Sequence, residues 1–237
     1  MSQSSPVKRA KYKGFRQASD PDIYARDLDN DLDQLYAKFT DTIQLNKLIV
    51  GSTDSYTKID GSGILTMSGS GRVFKHLIVS AAGFGSGAGA PDTGTQGTFA
   101  TLLYASTGTE IAYYNLHLPE DWAAGTDITM KVYWAPTTGA AGGVAWEIDW
   151  EAVATEANEV LGAGSTHIDI HDATQSLAWE ALETPVGTIA GASIGTDDVI
   201  GICISRDHDD VIDNYGADAA LIHLEIEYLS DKLGEAS

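Results

Sequence analysis

"GVAWEIDWEAVA", residues 143–154, is the stretch that decides the fold. Val144, Trp146, Ile148 and Trp150 alternate with Ala145, Glu147, Asp149 and Glu151. A period of two puts one set on a core and the other towards solvent, the pattern of a β-strand packed on one side. The pattern repeats. In "DITMKVYWA" (127–135), Ile128, Met130, Val132 and Trp134 face one way. In "DVIGICISR" (198–206) the alternating residues are Ile200, Ile202 and Ile204. In "LIHLEIEYL" (221–229), Ile222, Leu224, Ile226 and Tyr228 alternate with His223, Glu225 and Glu227. Adding 73–79, 110–118, 166–171 and 176–183 gives about eight strands, which suits a jelly-roll-like β-sandwich. No segment in this region has a helical period long enough for a crossover helix, so the sheets are expected to be antiparallel.

Outward from this β domain (98–230), the remaining chain divides into zones. Residues 1–19 are polar and basic, without periodicity, and read as an extended arm. Residues 20–47 read as a helix. Ser19 or Asp20 can cap it, Pro21 stands at its first position, and Leu28, Leu32, Leu35 and Phe39 form a 4-3-4 seam. That stripe is narrow, like the seam of a short trimeric coiled coil. Residues 48–97 read as a Gly-rich β connector. "YTKID-GSG-ILTMS" suggests a hairpin, and 81–97 suggests a flexible loop. Residues 231–237 read as a flexible tail.

Charge is unevenly placed. The 237 residues carry a net charge of −20, and Lys8, Arg9, Lys11, Lys13 and Arg16 give the first 19 residues +5, leaving −25 for the rest. An acidic body repels phosphates, so no nucleic acid is expected on the β domain. The basic arm suits an acidic partner surface, or nucleic acid, or is simply a disordered tail. The one cysteine, Cys203, excludes an intrachain disulfide and a four-thiolate metal site built by one chain. No stretch approaches the roughly 20 apolar residues of a membrane span, and no apolar segment follows the basic N-terminus as in a signal peptide.

The runs "NLHLPEDWAAGTDITMKVYWAP" (115–136) and "GGVAWEIDWEAVATEANE" (142–159) resemble segments of phage virion appendage proteins, that is, head fibres, capsid decoration proteins and tail-fibre-like spikes. Leu118-Pro119, Asp121-Trp122, Gly125-Thr126-Asp127, Tyr133-Trp134 and Trp146 carry the resemblance. "YTKIDGSGILTMSGSGRVF" is similar to the connector strands that follow a coiled coil in such fibres. The resemblance spans about residues 20–160 and implies an architecture: a trimer, docked on the virion by its N-terminal part, with a β-rich head pointing outward. It implies no catalytic site.

Four features bear on chemistry. "HIDIH" (167–171) places His167 two residues before Asp169, half of the facial triad of a jelly-roll iron(II) and 2-oxoglutarate oxygenase, with His223 or His208 as third ligand. Against that, only Lys131, Arg206 and Lys232 follow Lys75 as basic anchors for an anionic co-substrate. The simpler reading puts Ile168 and Ile170 in the core and His167, Asp169 and His171 on an outer face. "RDHDDVID" (206–213) clusters Asp207, Asp209, Asp210 and Asp213 as calcium candidates, or as an acidic solvated loop. Trp134, Trp146 and Trp150 lie on apolar strand faces and belong to the core, whereas Trp122, in a turn, is the candidate glycan contact. Cys203 alternates with Ile202 and Ile204 and reads as a packed residue.

The sequence therefore leads us to expect a virus structural protein with no cofactor and no enzymatic activity: a homotrimeric head fibre or capsid decoration protein located in the virion. It would be anchored to capsid or tail proteins by its arm and helix. The alternative is a carbohydrate-binding receptor module that meets a host surface glycan. The oxygenase ranks third.

Overall fold

The alternation in 143–154 becomes a 12-residue strand at the centre of a sheet. The computed structural model describes residues 47–60, 63–87 and 89–233. The arm residues Lys8, Arg9, Lys11, Lys13 and Arg16 and the seam residues Leu28, Leu32, Leu35 and Phe39 lie outside the described residues.

One sheet contains β5 (Gly85–Ser86), β8 (Ile111–His117), β10 (Gly143–Ala154), β11 (Thr166–Ala173) and β14 (Asp198–Arg206), in the order β11-β10-β14-β8-β5. The second contains β4 (Val73–Ser80), β6 (Asp92–Gln96), β7 (Phe99–Tyr104), β9 (Ile128–Pro136), β12 (Leu182–Glu183), β13 (Gly187–Ile189) and β15 (Ala219–Ser230). Its order is β12-β9-β15-β7-β6, with β13 also on β9 and β4 also on β15. A third, small sheet joins β1 (Lys47–Gly51), β2 (Tyr56–Asp60), β3 (Leu65–Ser68) and β16 (Lys232–Leu233). The strand pairings are antiparallel. The chain is a mainly β, jelly-roll-like antiparallel sandwich, as its alternation predicts.

The inward residues of both large sheets meet in one core. Trp146 from β10 packs edge-on to Tyr104 from β7 and Trp134 from β9, with ring centroids 5.3 and 6.1 Å apart. All three are fully buried. Edge-to-face rings add favourable quadrupole contacts to the area they remove from water. The Tyr104 hydroxyl donates to the Ile204 carbonyl of β14 at 3.1 Å, a polar stitch between the layers. Ile170 is buried and Ile168 packs against the same core, as the "HIDIH" pattern requires.

Several expectations change. The strand β4, expected at 73–79 as one of the eight strands but inside the 48–97 connector by its domain bounds, pairs along its whole length with β15, and Val73 stands opposite Ser230 where the chain enters and leaves the sandwich. Part of the Gly-rich segment 81–97 is not a loop but β6, paired with β7 from Asp92↔Leu103 to Gln96↔Phe99. Gly94 allows this pairing: a Cβ there would stand 2.8 Å from Thr101 Oγ1. The expected strand 176–183 shrinks to Leu182–Glu183, because Trp179 takes φ +63° and its N–H bonds to the Pro136 carbonyl at 2.7 Å. Residues 232–233, expected in a flexible tail, form β16 against β3. The hairpin β2–β3 is present, Ile59 opposite Leu65.

Candidate functional site

The outer face of the five-stranded sheet gathers the chemistry. Antiparallel register sets its outward side chains in rows from β8 through β14 and β10 to β11. One row runs Ile111, Ser205, Glu147, Asp169 and the next Tyr113, Cys203, Asp149, His167; a third runs Asn115, Gly201, Glu151.

His167 stands at the meeting point of three carboxylates. Its Nδ1 lies 3.1 Å from Glu147 Oε1 and 3.1 Å from Asp149 Oδ1; its Nε2 lies 2.7 Å from Asp169 Oδ1. Burial alone would lower the imidazole pKa. The bonds to Asp149 and Asp169, with the charges of Asp169 and Glu147, outweigh it and hold the pKa above the usual range. Burial raises the Glu147 carboxyl; His167 opposes this, and Asp149, Asp207 and Asp169 add to the rise. One donor atom from each of Glu147, Asp149 and His167 falls within a 4.8 Å group, so these residues are the metal-competent set among the described residues.

Beside this cluster runs a shallow groove of about 350 Å³. Gly201, in the middle of β14, forms its floor; an added Cβ would meet nothing within 4 Å. Tyr113 and Asn115 from β8 and Asp149 from β10 line it. Tyr113 is 41% exposed, and Gly87 lies against its ring, where an added Cβ would stand 2.9 Å from Cε2. The opposite wall is the 162–165 loop, which Glu151 holds in place. Its carboxylate accepts from the backbone N–H groups of Gly162 (2.8 Å), Ala163 (2.8 Å) and Gly164 (3.2 Å). Those bonds hold the Glu151 pKa below the carboxylate norm. Cys203, also in the groove, is not activated: burial, then the charge of Asp149, raises its thiol pKa.

The other residues singled out from the sequence are scattered, and several of those readings need correction. His223 stacks on Tyr133 of the other large sheet, rings 4.3 Å apart, so the oxygenase triad of His167, Asp169 and His223 is not assembled. His208 lies beside Asp209 at 3.4 Å and does not join the group of donors around His167. His171 bonds to Asp210 at 3.1 Å. Asp207, Asp209, Asp210 and Asp213 do not converge as calcium donors: Asp207 Oδ1 accepts from the Asp209 N–H, Asp210 Oδ1 from the Ile212 N–H, and Asp213 is buried against Arg206. Trp122, the candidate glycan contact, is 4% exposed and belongs to the core, so it offers no sugar platform. The sequence pattern points to His167 and Asp169 but misses Glu147, Asp149, Tyr113 and Gly201. Their outward phase was legible; the register that brings four strands into rows was not.

No protein-family model matches the chain, and no curated protein matches it. Among solved structures it is similar to the CBM36-1 domain of a multidomain xylanase from the hindgut metagenome of Trinervitermes trinervoides. Identity is 14%, covering 69% of this chain and 99% of that one, with a TM-score of 0.37. A CBM35 from Cellvibrio japonicus is 12% identical over 68% of this chain and 95% of its own, TM-score 0.35. A family 11 carbohydrate-binding module from Clostridium thermocellum, solved with a β-1,3-1,4-mixed-linked tetrasaccharide, is 15% identical over 76% and 94%, TM-score 0.31. These neighbours are carbohydrate-binding modules.

Proposed function

We propose that the protein is a non-catalytic binding module whose five-stranded sheet presents its outer face to a neutral carbohydrate. The observation that carries this reading is Gly201. A glycine inside a strand gives up packing and costs about 0.5–1 kcal/mol against alanine. Here its missing side chain opens a floor between an exposed tyrosine ring and amide and carboxylate groups. A ring to stack on, with nearby acceptors and an amide for hydroxyl groups, suits a sugar. The acidic body disfavours an anionic one. A glycan array probed with the full chain and with Gly201→Thr tests it: binding by the wild type that the substitution abolishes supports the reading. A wild type that binds no glycan, or a variant that binds equally, overturns it.

A second reading sets this module on a virion. The basic arm, the 4-3-4 seam and the resemblance to phage appendage proteins favour a trimeric head fibre or decoration protein anchored through residues 1–47, with host glycan as its outward ligand. Particles assembled with an N-terminally truncated chain test the anchor; incorporation that survives the deletion sinks it.

A further inference from the structure

We propose that Glu147, Asp149 and His167 form a binding site for a divalent first-row transition metal of the zinc class, oriented by Asp169. The geometry of the donors carries this independently of any glycan. Zinc bound to imidazole and carboxylate sits about 2.0–2.2 Å from each donor, and tetrahedral donors then stand about 3.3 Å apart. His167 Nδ1 is 3.1 Å from a carboxylate oxygen of Glu147 and 3.1 Å from one of Asp149, so an ion fits among them after small shifts of half-exposed side chains.

The second feature is the far side of the ring. Asp169 Oδ1 accepts a hydrogen bond from His167 Nε2 at 2.7 Å. With Nε2–H held on Asp169, Nδ1 faces Glu147 and Asp149, and a metal ion would take the place of the proton that Nδ1 shares with them. A carboxylate behind a histidine is the usual support of a metal-bound imidazole: it sets the ring plane and raises ligand basicity. Three protein donors leave a fourth position open to water on an exposed face. Calcium fits poorly, since it needs six to eight oxygens and one of these donors is nitrogen. An uncompensated set of three carboxylates around one imidazole supplies the negative charge a dication needs.

Without metal the same residues form a proton-held cluster, His167 paired with its carboxylates. The two states are separated by direct titration. The full chain, free of any polyhistidine tag, is titrated calorimetrically with zinc chloride, and with cobalt(II) followed by visible d–d absorption. We expect one zinc equivalent and a tetrahedral cobalt spectrum, both lost in His167→Gln and in Glu147→Gln/Asp149→Asn. Asp169→Asn keeps the ligands and should weaken binding by about 10–100-fold. His223→Gln, on the other large sheet, should bind like the wild type. No zinc equivalent in the wild type, equal binding by His167→Gln, or equal loss in His223→Gln each overturns the site and leaves an ion-pair cluster only. None of these readouts involves sugar, so failure here is distinguishable from failure of the carbohydrate reading.

Discussion

Arg206 and Asp213 are joined by two parallel bonds, Nε to Oδ2 at 2.8 Å and an Nη to Oδ1 at 2.7 Å, with side chains only 1% and 3% exposed. The guanidinium also donates to the carbonyls of Ala217, Tyr104 and Tyr215, so its five N–H groups have partners. Asp213 in turn accepts from the Ala145 N–H at 3.1 Å. The pair pins the 207–218 loop across the ends of β10 and β14.

Removing one member leaves the other charge buried. Arg206→Ala and Asp213→Ala should each lower stability by about 3–5 kcal/mol. Arg206→Leu with Asp213→Leu should cost less than the sum of the single changes. Urea denaturation of the four proteins measures the coupling; additive losses would mean that the pair is not a unit.

The core interlock between the sheets should be as sensitive. Trp146→Ala removes the ring that touches both Tyr104 and Trp134 and should cost about 3–5 kcal/mol. Trp146→Phe keeps an aromatic body and should cost less than the alanine change. Thermal unfolding followed by near-UV dichroism checks the order.

Gly201→Thr separates binding from folding. Its φ is unremarkable and nothing crowds the new Cβ, so the substitution should leave the melting temperature equal or higher. Ligand binding in the groove should vanish. A large drop in stability would mean that the glycine serves the backbone instead.

Acid should loosen the junction where β4 and β15 enter the sandwich. Burial alone would raise the Asp121 carboxyl, but hydrogen bonds from Lys75, Ser230 and Tyr228, with the charge of Lys75, hold it below the carboxylate norm. A depressed acid stabilises above its unfolded pKa of about 3.9. That contribution is lost as pH falls through the lower folded value. On the alkaline side burial, then Asp121, pushes Tyr228 up to about 12, so stability should also fall as pH rises from about 10 towards that value. Asp121→Asn should flatten the acid limb of a melting temperature against pH profile and reduce the alkaline limb only in part, because burial is the larger cause of the Tyr228 shift.

How much of this was legible in the sequence depends on range. Alternation in 127–135, 143–154, 198–206 and 221–229 is local, so those strands and the core tryptophans could be read directly. The strand Asp92–Gln96 could not. Its composition is that of a loop, and it becomes a strand only because Gly94 lets Thr101 and Leu103 close against it. Trp122 sits in a turn signal yet is buried, since a turn sequence says nothing about what lies over it. The outward phase of His167 and Asp169 was readable, but their partners Glu147 and Asp149 come from a separate strand about 20 residues away, in a register no local pattern sets.

Val73 and Ser230, paired where the chain enters and leaves the sandwich, make the β domain a pendant hung from a two-strand stem. Everything between them closes on itself. Such a domain can be transplanted: spliced at those two positions into an exposed hairpin of a host protein, residues 73–230 should fold without reference to what flanks them. It can also be cut and rejoined, since the two ends already lie side by side. The binding face, built from the sheet that holds neither end, would travel with it unchanged.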